Sequence, residues 1–297
     1  YLGAGRVEFE FSSSALSILC TVVDVALSLL VLGYAVRYKN ALAGVLAVVM
    51  VVLAIGFEVV AAHGIEVVHG FYVDALTLLM VAVIGVIGSG ICVYALGYME
   101  DFQAHEPEGA ADRRPLFFAL MFLFLSAMYL IVFSDNMAWL FTGWEITTVC
   151  SFLLIGYTRT EEAIRNSFRQ IIMNMIGGLA FILGLYYCAI VLGELSLETF
   201  IAVGNYAPVV AALPAALLAL AGITKAAQMP FHTWLLGAMV APTPTSALLH
   251  SSTMVKAGVF LLLKLAPVFA VSLIPGAMVV LTGGITFMLC SFMAISQ

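Results

Sequence analysis

Charge is what this chain has least of. Only 9% of its 297 residues are Asp, Glu, Lys or Arg, whereas a soluble domain carries about 25%, so a water-exposed surface cannot be assembled from it. Cysteine chemistry is missing as well. Cys20, Cys92, Cys150, Cys188 and Cys290 contain no CxxC pair and all fall in apolar stretches, which argues against a disulfide framework or an iron–sulfur ligand set. No metal and no cofactor is expected. A basic surface of the kind nucleic acid requires is absent too, because the net charge is −6 and half of it sits in one loop, "EDFQAHEPEGAADRRP" over 100–115. Nucleic acid is therefore excluded as a partner. The opening "YLGAGRVEFEF" lacks the basic stretch and short apolar core of a cleavable signal.

What fills the chain instead is apolar sequence, 64% of all residues. About 20 apolar residues cross the hydrocarbon of a bilayer as a helix, and runs of that length recur throughout. They predict nine spans, at 15–36, 41–62, 75–98, 116–133, 137–157, 170–192, 214–241, 245–266 and 271–294. Strands of an outer-membrane barrel would be half as long and would alternate in polarity, which these runs do not. The fold class is thus an all-α integral membrane bundle, embedded as a multi-pass protein in the inner or cell membrane of a prokaryote. The final "AISQ" stops directly after an apolar run, so the chain is expected to be part of a longer one, with Tyr1 not its native start.

Loop charges orient the bundle. With nine spans, Arg37, Lys39, Arg113, Arg114, Arg159, Arg165 and Arg169 fall in loops on one side, and only Arg6 and Lys264 on the other. The positive-inside rule makes the first side cytoplasmic and leaves the N-terminus outside. Two basic residues remain, Lys225 and Lys256, and both lie inside predicted spans.

A charge near the bilayer centre costs several kcal/mol, so such residues are usually paired, face the bundle interior and serve transport. Glu145, in "FTGWEITTVCSFLLIGY", is about eight residues, or roughly 12 Å, into the fifth span; the plain alternative is a buried neutral carboxyl. Lys225 precedes "AAQMPFHTW", where Pro230 removes a backbone donor, so the seventh span should break just after it. Broken helices at membrane depth mark ion sites in transporters. The plain alternative, a kink with a snorkelling lysine, fits poorly so far from either boundary. Lys256 is about eleven residues into the eighth span. Burial and a nearby carboxylate pull a lysine's protonation in opposite directions, and a lysine held between them can exchange a proton near neutral pH.

His250 shares the eighth span but lies about 120° around the helix from Lys256. Ser246 and Thr253 fall on its face, giving a polar stripe able to hold water; a structural histidine is nearly as good a reading. His232, in "PFHTW", is a weaker candidate still. Asp24 and Glu58 are intramembrane acids with no evident partner, open to either packing or function, and Asp74 reads as a helix cap.

The run "ITKAAQMPFHTWLLGAMVAPTPTSALLHSSTMVKAG" resembles the seventh and eighth helices of the antiporter-like subunits shared by complex I, Mrp sodium/proton antiporters and membrane-bound [NiFe] hydrogenases. The segment "GWEITTVCSFLLIGY" resembles their fifth helix, and the likeness in order and spacing covers about 72–297. It implies five-helix units repeated in inverted orientation, each with a broken helix. It also implies that Glu145 pairs with Lys225 and that Lys256 passes a proton onward along a hydrated axis. On that plan residues 1–115 hold three N-terminal spans and the acidic loop, 116–266 form the first repeat, and 267–297 begin a truncated second one. The residue that completes the path lies beyond Gln297.

Leu235, Leu236 and Gly237 follow Trp234 where complex I and Mrp relatives read proline–aspartate, and "LLGAMVAPTP" is closer to the large membrane subunit of energy-converting (Ech-type) hydrogenases. The function implied is proton translocation by a subunit with no redox centre of its own. Its partners would be other membrane subunits and a peripheral redox arm, hydrogenase or complex I-like. A stand-alone Mrp-type sodium/proton antiporter and a purely structural membrane anchor are the alternatives.

Overall fold

The computed structural model of the chain describes residues 5–61, 64–105 and 111–295. Both chain ends, Ala62 at the edge of the second predicted span and the middle of the acidic loop lie outside these residues. In chain order the elements are β1 (Val7–Phe9), α1 (Ser14–Arg37), α2 (Ala41–Ala61), β2 (Phe71–Val73), α3 (Ala75–Ala104), α4 (Arg114–Phe133), α5 (Met137–Ile155), α6 (Glu161–Leu192), α7 (Leu197–Tyr206), α8 (Pro208–Lys225), α9 (Thr233–Gly237), α10 (Thr243–Lys264), α11 (Ala266–Val271) and α12 (Leu273–Ile295). Nine of the helices described, all but α7, α9 and α11, are long and apolar enough to cross a membrane.

Side-chain caps set where most spans begin. Ser13, Asn40, Asp74, Asn136 and Thr160 each accept a first-turn backbone N–H, from Leu16, Ala43, Thr77, Ala138 and Ala163 at 2.8–3.3 Å, satisfying donors that have no intrahelical partner. Thr160 is why α6 begins at Glu161, nine residues before the apolar run. Arg165 and Arg169, expected in a loop, are therefore on the first turns of a helix that reaches past the hydrocarbon.

α5 forms the centre. It is buried on nearly every side, packed between α1, α4 and α6, while α6 packs in turn on α2 and α8, and α8 on α10 and α12. α12 is the opposite extreme, with almost its whole surface exposed and apolar.

Two contacts show that the basic loops share one end of the bundle. Arg113 donates to the Tyr157 carbonyl at 2.8 Å, joining the α3–α4 and α5–α6 connections, and the Tyr38 and Phe168 rings meet at 5.8 Å, joining the α1–α2 connection to α6. At the other end β1 and β2 pair antiparallel, Glu8 opposite Tyr72, and lay Phe11 and Phe71 on Trp139 at 6.0 and 5.3 Å between ring centroids. Arg6 is drawn in there by Asp135 at 2.9 Å and Glu198 at 2.5 Å. Burial disfavours its cation, but Asp135, Glu198 and Glu8 outweigh that and raise its pKa. At Glu198, burial and the neighbouring Glu8 push the carboxyl up.

Candidate functional site

The segment containing Lys225 begins six residues earlier than the sequence suggested, at Pro208, but breaks where expected, at Lys225. α8 starts at Pro208, carries Pro214 inside it, and stops at Lys225 itself, five residues short of Pro230. The stop is a Schellman turn. Gln228 N–H bonds to Ile223 O and Ala227 N–H to Thr224 O, both at 3.1 Å, with Ala227 at φ 52°, where glycine is the usual residue. The Trp234 indole donates to Thr224 O at 2.9 Å, so the carbonyls freed by the break find partners inside the protein. A cation at a helix C-terminus also meets the negative end of the helix dipole.

Lys225 is fully buried. Its ammonium donates to the Trp144 carbonyl at 2.6 Å and to Thr148 Oγ1 at 2.7 Å, and lies 4.7 Å from the centroid of the Trp144 ring. Glu145 is the next residue on α5, 7% exposed, and its Oε1 has no hydrogen-bond partner. Glu145 and Lys225 interact electrostatically, yet no ion pair joins them among the described residues. Gly178 of α6 keeps the space beside the carboxylate free, since a Cβ there would collide with Glu145 Oε1. Gln170 Oε1 and Asn174 Oδ1 on the same helix are likewise buried and unpartnered. Buried polar atoms of this kind are ordinarily satisfied by internal water.

α10 is interrupted as well, which the sequence reading did not anticipate. A π-turn over Leu248–Ser252 is followed by Thr253 at φ −131°, ψ −83°, after which regular helix resumes at Met254. The turn removes the register on which the His250 stripe depended. Thr253 donates to Leu248 O at 2.5 Å and Ser246 to Ala238 O at 3.4 Å, so neither hydroxyl is committed to His250, whose Nε2 is unpartnered.

Lys256 is half-buried, three residues beyond this break. Gly258 lies so near α8 that a Cβ would come within 2.5 Å of Gly222 O and 2.6 Å of Ala226 N. That contact packs α10 against the last turn of α8, which ends at Lys225, and Lys256 is two residues along α10 from it. His232 sits between the α8 break and α9 with its Nδ1 buried and unpartnered.

Asp24, Glu58 and Lys264 are corrected by the structure. Asp24 and Glu58 do have partners: Thr142 on α5 donates to Asp24 Oδ2 at 2.8 Å, and Thr21 on α1 donates to Glu58 Oε2 at 3.1 Å. The signal was present in α1, where Ser17, Thr21 and Asp24 recur at helical spacing. Lys264, taken for an outer loop residue, is buried at the end of α10, bound to Asp74 and lying over the Tyr72 ring at 4.3 Å. Asp74 does cap α3, accepting from Thr77 N at 2.8 Å. Burial raises its carboxyl pKa, but Lys264 and Thr77 overcome that and hold it below the ordinary value.

A family model described as "NADH:quinone oxidoreductase/Mrp antiporter, TM" matches residues 134–297, more than half of the chain, and one described as "NADH-Ubiquinone oxidoreductase (complex I), chain 5 N-terminus" matches 59–107. The chain is 37% identical over 205 residues to the Na(+)/H(+) antiporter subunit A1 of Staphylococcus haemolyticus (strain JCSC1435), covering 68% of this chain and 24% of that protein. It is 37% identical over 202 residues to NADH-quinone oxidoreductase subunit L of Campylobacter jejuni, covering 67% and 32%. It thus spans about a quarter to a third of these relatives.

Among solved structures, the Mrp complex from Dietzia sp. DQ12-45-1b superposes with a TM-score of 0.61 at 28% identity, over 86% of this chain and 29% of that one. The membrane-bound sulfane sulfur reductase, an archaeal respiratory membrane complex, shares the fold, with a TM-score of 0.57 at 19% identity over 88% and 54%. With the broken α8 and the intramembrane Lys225 already in view, these likenesses agree with the architecture: the chain belongs to the NADH:quinone oxidoreductase/Mrp antiporter family of transmembrane proteins.

Proposed function

We propose that this chain is the first half of a proton-translocating, antiporter-like subunit, and that Glu145, Lys225 and Lys256 carry the proton, with His250 and His232 as secondary positions. One observation carries the reading. A fully buried lysine ends a broken helix, held among the described residues by a carbonyl and a hydroxyl instead of a carboxylate, with a glutamate whose Oε1 has no partner one residue from its anchor. A lysine so held can release its proton without first breaking an ion pair. A change of charge arriving from a neighbouring subunit would alter the distance between Glu145 and Lys225, loosen the lysine's hold on its proton and send it toward Lys256. Residues 116–266 would then be the first repeat and 267–297 the start of the second.

The partners in this reading are other membrane subunits and a redox arm, complex I-like or of the energy-converting hydrogenase kind suggested by "LLGAMVAPTP". Proton pumping by the full complex tests it. Lys225→Ala and Glu145→Gln should each abolish coupled pumping while the complex still assembles; full pumping by either variant sinks the assignment. The likeness to a Na(+)/H(+) antiporter subunit favours a second reading, a sodium/proton antiporter without a redox arm. Genes for redox subunits beside this one would favour the first reading, and further small antiporter subunits the second. If neutralising Lys256 left coupling intact, a purely structural anchor would be favoured over both.

A further inference from the structure

A cavity of about 310 Å³ opens between α1, α2 and α5 at the end of the bundle that carries the β1–β2 pair. It is polar for a membrane protein. Ser17, Cys20, Thr21 and Asp24 line it from α1, Glu58 from α2 and Thr142 from α5, with Glu66 at its rim. A water needs about 10–15 Å³ of such space and two or more polar partners, so the cavity has room for several.

Asp24 lies on its inner wall. The residue is 8% exposed; Thr142 binds Oδ2, and Oδ1 is buried with no partner. A carboxyl this far from bulk water, with one oxygen unsatisfied, is costly unless that oxygen is protonated or hydrated. Thr142 and Glu145 are one turn apart on α5, and Asp24 interacts electrostatically with Glu145. The titratable groups around Asp24 are thus Cys20 on its own helix, Glu58 on α2, Glu66 in the connection from α2 to β2, and Glu145 on α5. Glu145 in turn interacts with Lys225, and among the described residues no basic side chain lines the cavity.

We propose that this cavity is a lateral proton inlet and that Asp24 exchanges protons between its water and Glu145. A hydronium in the cavity transfers its proton to the Asp24 carboxylate and is left as water. Asp24 then returns to the carboxylate as Glu145 Oε1 gains the proton, directly or through one intervening water, and charge balances at each step. The inlet joins Glu145 to the face opposite the basic loops, separately from the Lys225 to Lys256 line. It rests on the reading of Glu145 and Lys225 as proton carriers.

Two measurements on the full complex in oriented membrane vesicles test it. In the first, Asp24→Asn is expected to slow coupled proton translocation by at least about tenfold, while Asp24→Glu restores most of the rate and displaces its pH profile. Thr142→Val should shift the same profile by less. In the second, Cys20, with the other cysteines replaced, should react with a small membrane-impermeant thiol reagent from the face that carries β1–β2 and not from the other. Full pumping with an unchanged pH profile in assembled Asp24→Asn complexes overturns the inlet, as does an unreactive Cys20 or a rate through Asp24 that follows sodium instead of pH. If Lys225→Ala is inactive while Asp24→Asn pumps normally, the inlet alone fails. If Lys225→Ala pumps fully, the underlying proton-carrier reading fails with it.

Discussion

Two buried lysines divide the molecule. Lys264, at the β1–β2 end, is clamped by Asp74, which at the same time caps α3, and by the ring of Tyr72. It fastens α10 to α3 across 190 residues of sequence. Lys225, in the centre, has no carboxylate in contact and rests on Trp144 O and Thr148 Oγ1 at a helix end. Burial is nearly the same for both, so burial does not separate a structural lysine from a transport one. The partner does, because a hydrogen-bonded carboxylate fixes the proton on the lysine, whereas a carbonyl and a hydroxyl hold the ammonium without fixing it.

The contrast breaks most sharply on two substitutions. Lys225→Ala should lower coupled proton translocation by at least about 100-fold, measured in vesicles after normalising to assembled complex, and should leave assembly nearly unchanged. Lys264→Met should do the reverse. It strands Asp74 in the interior, at a cost of about 3–5 kcal/mol in denaturant or thermal unfolding of the complex, while the complexes that assemble pump at the normal rate. Adding Asp74→Asn should return part of that stability, because the double variant leaves no uncompensated charge. Loss of pumping without loss of stability in Lys264→Met would erase the distinction between the two sites.

The sequence made one side of this contrast visible and hid the other. Lys225 and Glu145 stand out because a charge inside a 20-residue apolar run is conspicuous on its own. Lys264 is equally charged, but it lies at the end of a run, where a snorkelling lysine is unremarkable; only the fold brings Asp74 to it. Asp24 was hidden for a similar reason, since its partner Thr142 is 118 residues away. The nine spans were legible because apolar length alone specifies a membrane helix. Of their interruptions, the one after Lys225 was legible and the one in α10 was not. Pro230 marked the break just after Lys225, but the left-handed turn at Ala227 that makes it, a position glycine normally fills, left no trace in the sequence. The π-turn in α10 leaves no periodic trace, and the His250 stripe inferred from straight-helix spacing dissolved with it.

A smaller effect sharpens the central site without touching either lysine. Gly178→Ala places a methyl group where Glu145 Oε1 now lies, and overpacking of this kind costs about 1–3 kcal/mol. The carboxylate must turn away or α6 must shift. Because the hydrogen bonds of Lys225 are made to α5 and not to Glu145, the lysine should keep its anchors. The expected outcome is a pumping rate reduced several-fold, short of the loss in Lys225→Ala, together with modest destabilisation. Unchanged pumping would mean that the position of Glu145 does not set the transfer rate.

The smallest expected effect concerns pH at the structural clamp. Burial works against the Asp74 carboxylate, but Lys264 and the Thr77 N–H prevail and hold its pKa below the ordinary 3.8. A carboxyl depressed in the folded protein contributes stability above its unfolded pKa and loses it as the pH falls through the folded value. Stability should therefore show no Asp74 component between pH 7 and pH 5, then decline as the pH drops below about 4. Asp74→Asn should be less stable above about pH 4, with the gap closing at lower pH because the variant lacks that acid-dependent component. Unfolding curves of wild type and Asp74→Asn across this range measure the difference. If the two lost stability in parallel below pH 4, the Asp74–Lys264 contact would not be an ion pair whose charge the fold depends on, and the two lysines would differ less than their surroundings indicate.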